Sequence, residues 1–158
     1  MRILDSLPGT ATRVEQNTAA AVNRRIRERT ESSLRKLEEA DSAALTARLQ
    51  SLDEEWDIER TLQLNASLFA GLGIVLGTRA DRRFLLLSLA VFAFLEQHAL
   101  QGWCPPIPVM RRLGIRTRKE IERERMALKT LRGDFQGMPG PGVPTSERVR
   151  AALERVDR

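Results

Sequence analysis

The run Phe84-Leu-Leu-Leu-Ser-Leu-Ala-Val-Phe-Ala-Phe-Leu95 contains one polar side chain, Ser88, in twelve positions. A helix on a protein surface places polar residues at every third or fourth position, so this run is apolar on every face. Extended to Trp103, it covers 20 residues with a single formal charge, Glu96. Upstream, residues 61–78 form a second stretch of 18 residues with no ionisable group. As a helix it rises ~27 Å, close to the hydrocarbon thickness of a bilayer. Five residues, 79–83, separate the two stretches. The expected fold is all-α: a two-span transmembrane helical hairpin (61–78 and 84–103) with amphipathic cytoplasmic helices before and after it. A soluble bundle with an apolar hairpin is the competing reading, because Gln63, Asn65 and Ser67 dilute the first stretch and Glu96, Gln97 and His98 the end of the second.

The chain of 158 residues carries 26 Lys and Arg against 21 Asp and Glu, a formal +5. Residues 111–158 hold 13 basic and seven acidic side chains, residues 61–110 three and two, and residues 1–60 ten and twelve. The basic excess therefore lies after the second stretch. Within roughly 20 residues of the span ends, eight basic side chains (Arg48, Arg60, Arg111, Arg112, Arg116, Arg118, Lys119, Arg123) face three in the loop, which predicts both termini in the cytoplasm. A composition of 42% hydrophobic and 30% charged residues excludes an acidic disordered chain. One Cys forbids an intramolecular disulfide, and with a single His as well a Cys/His zinc site would have to be filled by carboxylates or by a second chain. Aromatics at 4%, without Tyr, argue against a base-stacking surface. The start, Met-Arg-Ile-Leu-Asp-Ser-Leu-Pro, lacks the apolar core of a secretory signal, so none is expected.

Residues 14–60 read as helix, with Val22, Ile26, Leu34, Leu37, Leu45, Leu49, Leu52 and Trp56 recurring at helical spacing. Asp41-Ser42 and Asp53 each offer an N-cap, so the segment is one rod or two or three pieces. Its stripe suits a coiled coil with a cytoplasmic partner, packing on the downstream helix, or a membrane surface. Beyond the second stretch, Cys104-Pro-Pro-Ile-Pro108 breaks the helix. Thr117-Arg-Lys-Glu120 is a capping box that opens a helix to Arg132, stopped by Gly133 and Asp134. A Gly/Pro linker, 137–144, precedes a short helix capped by Ser146 with Val149, Leu153 and Val156 on one side. The organisation expected is 1–60 amphipathic helices, 61–110 hairpin, 111–135 basic cytoplasmic helix, and 136–158 linker and short helix.

The candidate chemistry is sparse. Cys104 follows a helix C-terminus, whose dipole disfavours a thiolate, and His98 lies ~240° away around a continuous helix. A Cys-Pro dipeptide can ligate haem, so a thiol or haem redox role is the alternative to a packed small residue. Glu96 and His98 are read as interfacial anchors rather than proton carriers or ion ligands, with Glu96 pairing with Arg111 or Arg112 or across a dimer. Gly73 and Gly77 form a GxxxG, and Ser67 with Gly71 continues small residues on a face ~160° away. One face is expected to pack on the second span and the other on a second protomer in a homo-oligomer. Trp103, Arg111, Arg112, Arg116, Arg118 and Lys119 are candidate lipid headgroup contacts at the anionic leaflet. The alternating charges after Arg118, with Phe135 as the one downstream aromatic, are those of a solvated helix, and no nucleic acid partner is expected. No cofactor, metal or catalytic residue is expected.

A two-helix span ending in Cys104-Pro105, followed by Leu113-Gly114-Ile115-Arg116-Thr117, resembles the YgaP-like transmembrane domain family of bacterial inner-membrane proteins. Asn65, Gly71, Gly73 and Gly77 fit that pattern. Residues 56–60 and the tail to Phe135 look like a longer subgroup, so the likeness covers residues 56–135. The resemblance implies an integral inner-membrane hairpin with cytoplasmic termini and no assigned activity. Some members carry a fused rhodanese sulfurtransferase domain, which is not expected here. Members with a Cys just after the Thr differ from this chain, where Arg118 stands. The expected function is a non-enzymatic, membrane-anchored structural or interaction module, and the alternative is a soluble or peripheral coiled-coil adaptor.

Overall fold

The computed structural model describes Gly9 and residues 11–156; the first eight residues, on which the missing signal was read, lie outside the described residues. The described residues form helices and turns, with no strand among them. In chain order the helices are α1 (Arg13–Gln16), α2 (Ala20–Lys36), α3 (Ser42–Glu54), α4 (Ile58–Arg79), α5 (Leu85–Gln101), α6 (Ile107–Leu113), α7 (Arg118–Arg132) and α8 (Thr145–Val156). They divide into two compact units. One comprises α1, the first half of α2, α4, α5, α6 and the start of α7; the other comprises the end of α2, α3, the rest of α7 and α8.

The two long apolar helices α4 and α5 form an antiparallel hairpin. Asp57 opens α4 by accepting from the Arg60 N–H at 2.7 Å. Asp81, accepting from the Arg83 N–H at 2.8 Å, starts the 3-10 turn Arg82–Phe84 that reverses the chain. Gly102 ends α5 in the left-handed region, at φ 75°. A side chain there would also run into Arg13, which packs directly over it. Between the helices the contacts are small: Ala66, Ala70, Gly73 and Gly77 line the buried face of α4. Ser88 of α5 satisfies its hydroxyl by donating to the Ala70 carbonyl at 2.8 Å.

At the open end of the hairpin, Val14, Ile58, Leu62, Cys104, Ile107 and Met110 make one apolar cluster, with Leu95 and Ile115 against it. This is why α1 and α6 fold back onto the hairpin. Helix α6 is not foreshadowed by its three prolines, but Pro105 and Pro106 precede it and Pro108 occupies its first turn, where a missing N–H costs nothing. Gly114, at φ 92°, then closes it, with the Gly114 and Ile115 N–H groups bonding the Arg111 and Met110 carbonyls.

The other unit is held by polar contacts around α7. Glu124, wholly buried, accepts from Arg48 at 2.8 Å and from the Ser33 hydroxyl at 3.2 Å. Arg132 grips Asp134 with two nitrogens and donates to Thr46. The N-terminal region is three helices rather than a rod. Asp41 caps α3 through the Ala44 N–H, as expected. Asp53 does not act as a cap: it lies inside α3 and pairs with Arg125 at 2.7 Å, and Asp57 takes the capping role. Likewise α8 starts at Thr145, so Ser146 lies within its first turn.

The α4 face sets a prediction with opposite signs. A Cβ at Gly73 would collide with Ser88 Oγ and lie 3.0 Å from the Phe84 carbonyl, whereas one at Gly71 meets nothing within 4 Å. Gly73→Ala should lower the thermal midpoint, by overpacking of about 1–3 kcal/mol less the helix-propensity gain. Gly71→Ala should hold or raise it by the propensity gain alone. Thermal unfolding followed by circular dichroism reads both.

Candidate functional site

The hairpin and its base present two surfaces of opposite character. Along α4 and α5 the outward side chains are large and apolar, with Leu68, Leu72, Leu86, Leu89 and Phe92 all exposed. In the apolar window of α5 only 11% is buried. Small residues face inward and large ones outward, which inverts the arrangement of a water-soluble core. At the open end, Trp56 precedes α4 and Trp103 follows α5, so both indoles occupy the same end of the antiparallel pair. Trp56 lies under the Arg60 guanidinium, 4.1 Å from its ring centroid.

Inside the base is a belt of ion pairs. Glu59 accepts from Arg13 at 3.0 Å and lies 2.9 Å from His98 Nε2, while Asn17 donates to the Gln101 carbonyl at the end of α5. Glu55 receives two nitrogens of Arg116, at 2.7 and 2.5 Å. The Ile58 N–H bonds the Arg116 carbonyl, tying the entry of α4 to the segment after α6. Arg111, 1% exposed, forks onto both oxygens of Glu120 at 2.6 and 2.7 Å and reaches the Ile115 carbonyl and Asn23 Oδ1. Glu120 is also the capping-box carboxylate, accepting from the Thr117 N–H at 2.8 Å. Burial alone would raise its pKa, but the Arg111 and Thr117 bonds and the Arg111 charge outweigh burial and hold it below the usual carboxylate value.

Two expected headgroup contacts are thereby corrected. Arg111 and Arg116 are buried and paired, so neither is presented to a surface; Arg112, Arg118 and Lys119 are exposed, and Trp103 is half-buried. Glu96 is exposed, and Arg111 is committed to Glu120 rather than to it. His98 is buried against Glu59, a pairing across 39 positions that helical spacing within α5 could not reveal. The Gly73–Gly77 face is the one on α5, and the Ser67–Gly71 face is open, with Ser67 donating to the Gln63 carbonyl on its own helix.

Cys104 lies in the apolar cluster, where burial pushes its thiol above the ordinary value. It borders an apolar cavity of about 520 Å³ whose walls include Phe69, Phe94, Leu95, Val109 and Leu113. A thiolate gains nothing there. No family model, curated protein or solved structure matches this chain. Among the described residues no group of three or more His, Cys, Asp or Glu is arranged to hold a metal ion.

The Arg111–Glu120 pair yields a pH prediction. Because the folded carboxyl titrates below its unfolded value of about 4.3, its contribution is complete above that value and is lost as pH falls through the folded one. Glu120→Gln should flatten this acid limb. At neutral pH it should cost ~3–5 kcal/mol, since Arg111 is left buried and uncompensated. Arg111→Met combined with Glu120→Gln should recover most of that loss, as read by unfolding across pH 3 to 7.

Proposed function

We propose that this chain is an integral membrane protein, anchored by the α4–α5 hairpin, that serves as a structural or interaction module without enzymatic activity. The observation that supports this most is the inverted hairpin: glycine and alanine where the helices meet, Leu and Phe where they face outward. Apolar patches of such extent are rare on soluble monomers, and in lipid they carry no penalty. The helix lengths fit a hydrocarbon core, α4 rising ~33 Å over its 22 residues. The ion-paired base and the two tryptophans then fall at the lipid–water boundary, where an indole's apolar body and polar edge are both satisfied.

In this reading the resemblance to the YgaP-like transmembrane domain family holds, the location is a bacterial inner membrane, and both termini are cytoplasmic. The basic side chains Arg112, Arg118 and Lys119 remain as headgroup contacts. The coiled-coil adaptor is less well supported, because Ile26, Leu45, Leu49 and Leu52 of the N-terminal stripe are already buried within the chain. The apolar stripe of α8 is different: Val149, Leu153 and Val156 are each more than half exposed, at 52%, 60% and 53%. That stripe fits an interaction role, with a second copy or another protein.

Alkaline carbonate extraction of membranes tests the anchor: the protein should stay in the pellet, and its release into the supernatant would remove the hairpin reading. Topology is read with a Cys104→Ala background and a single cysteine at Thr78 or Ala80. Labelling by an impermeant reagent from outside the cell is expected, and labelling only from the cytoplasmic side would reverse the orientation.

A further inference from the structure

Beside α6 is a small cavity, about 180 Å³, whose wall includes Arg25, Arg29, Arg111 and Arg112 with Val22 and Gly114. Arg25 and Arg29 stand at i and i+4 on α2, a like-charge spacing that disfavours the helix by a few tenths of a kcal/mol. Of the two glutamates on α2, Glu28 pairs with Arg24 instead. Among the described residues, neither Arg25, Arg29 nor Arg112 has an acidic partner. Arg111 brings a fourth guanidinium, already neutralised by Glu120, and its buried Nε–H has no acceptor.

The geometry is specific at Gly114. A Cβ there would lie 2.6 Å from an Arg29 Nη, so the guanidinium rests over the bare α-carbon. Two of the last α6 carbonyls, those of Met110 and Arg111, are bonded by the Ile115 and Gly114 N–H groups, which weakens the repulsion that a helix C-terminus exerts on an anion. Planar guanidinium forks match phosphate oxygens, and three unneutralised forks around one cavity repel one another until an anion fills it. At this volume the cavity is below the ~300 Å³ of an ordinary small-molecule pocket and suits a single anionic group.

We propose that Arg25, Arg29 and Arg112 form a phosphate-binding site over Gly114, which takes either free phosphate or the phosphate of an anionic lipid headgroup. The site does not depend on membrane insertion, because the free anion binds to the same three side chains in either case. It also uses two arginines, on α2, that lie more than eighty positions before Arg112 and outside the basic tail.

The full-length protein, purified in detergent, is titrated with inorganic phosphate at constant ionic strength in a calorimeter. In parallel, lipid adducts are counted by native mass spectrometry with phosphatidylglycerol and phosphatidylcholine of matched chains. Saturable phosphate binding is expected, with the half-saturating concentration raised at least about tenfold in Arg29→Gln/Arg112→Gln. Arg27→Gln, on the opposite side of α2, should leave it unchanged. Phosphatidylglycerol adducts that disappear in the double variant identify a headgroup as the source, and phosphate binding without them identifies the free anion. These arginines are exposed and make no ion pair, so circular dichroism of the double variant should match the parent. Absence of saturable binding in both arms, or binding that survives in the double variant, overturns the proposal. A chain that needs no detergent leaves the phosphate arm readable and counts against the hairpin anchor alone.

Discussion

The buried guanidinium of Arg111 is the constraint on which the base of the hairpin depends. Removing a charge from water costs several kcal/mol, and that cost is offset only when geometry is good and the donors are satisfied. Arg111 meets most of this requirement through its two terminal nitrogens, which donate to both Glu120 oxygens, the Ile115 carbonyl and Asn23 Oδ1 while the Nε–H has no acceptor, and these bonds draw α6, the start of α7 and α2 to one point. Glu120 simultaneously holds the Thr117 N–H, so one carboxylate fixes where α7 begins and what α6 packs beside. Arg116 and Glu55 repeat the device three helices apart in sequence, joining the approach of α4 to the segment after α6. The chain after α5 is therefore clamped where its composition alone suggests a loose basic tail.

The hairpin is stabilised by a different kind of contact. Between α4 and α5 no ion pair is needed along the apolar length, because Gly73 and Gly77 let the backbones approach and Ser88 finds a carbonyl. Close approach yields dispersion contacts that do not depend on water being expelled, and such contacts retain their value in an apolar solvent. The long-range ion pairs of this unit, in contrast, are gathered at the end where Trp56 and Trp103 stand. The two modes are segregated along the hairpin axis.

Arginine serves three purposes in this molecule, and position in sequence does not distinguish them. Arg111 and Arg112 are adjacent, yet one is buried in an ion pair and the other is exposed. On a seven-residue helix whose apolar side faces the hairpin, a step of ~100° is enough to separate those fates. Arg24 and Arg25 diverge in the same way, one paired with Glu28 along the helix and the other turned to the cavity.

What the sequence makes legible follows from the range of the interactions. The two apolar helices, the Thr117–Glu120 box, the Asp41 cap and the stop at Gly133 are all decided within a few residues, and each appears where local rules put it. The choice between Asp53 and Asp57 is not local. Both precede plausible helix starts, but Asp53 is drawn into a pair with Arg125 and Ile58 is held by the Arg116 carbonyl, which sets the start of α4 four residues later. Helix α6 was hidden because proline is usually read as a breaker, whereas a helix that begins immediately after two prolines uses their restraint as its first turn. His98 with Glu59, and Arg111 with Asn23, depend on chain reversals that no periodicity encodes. The expected headgroup cluster failed at Arg111 and Arg116 for the same reason: charge counting treats every arginine after a span as solvated, and burial of an arginine is decided by a carboxylate arriving from elsewhere in the fold. The information lost to local reading is therefore the long-range part: Glu59 with His98, Glu55 with Arg116 and Arg111 with Asn23 at the base of the hairpin, and Asp53 with Arg125 in the other unit.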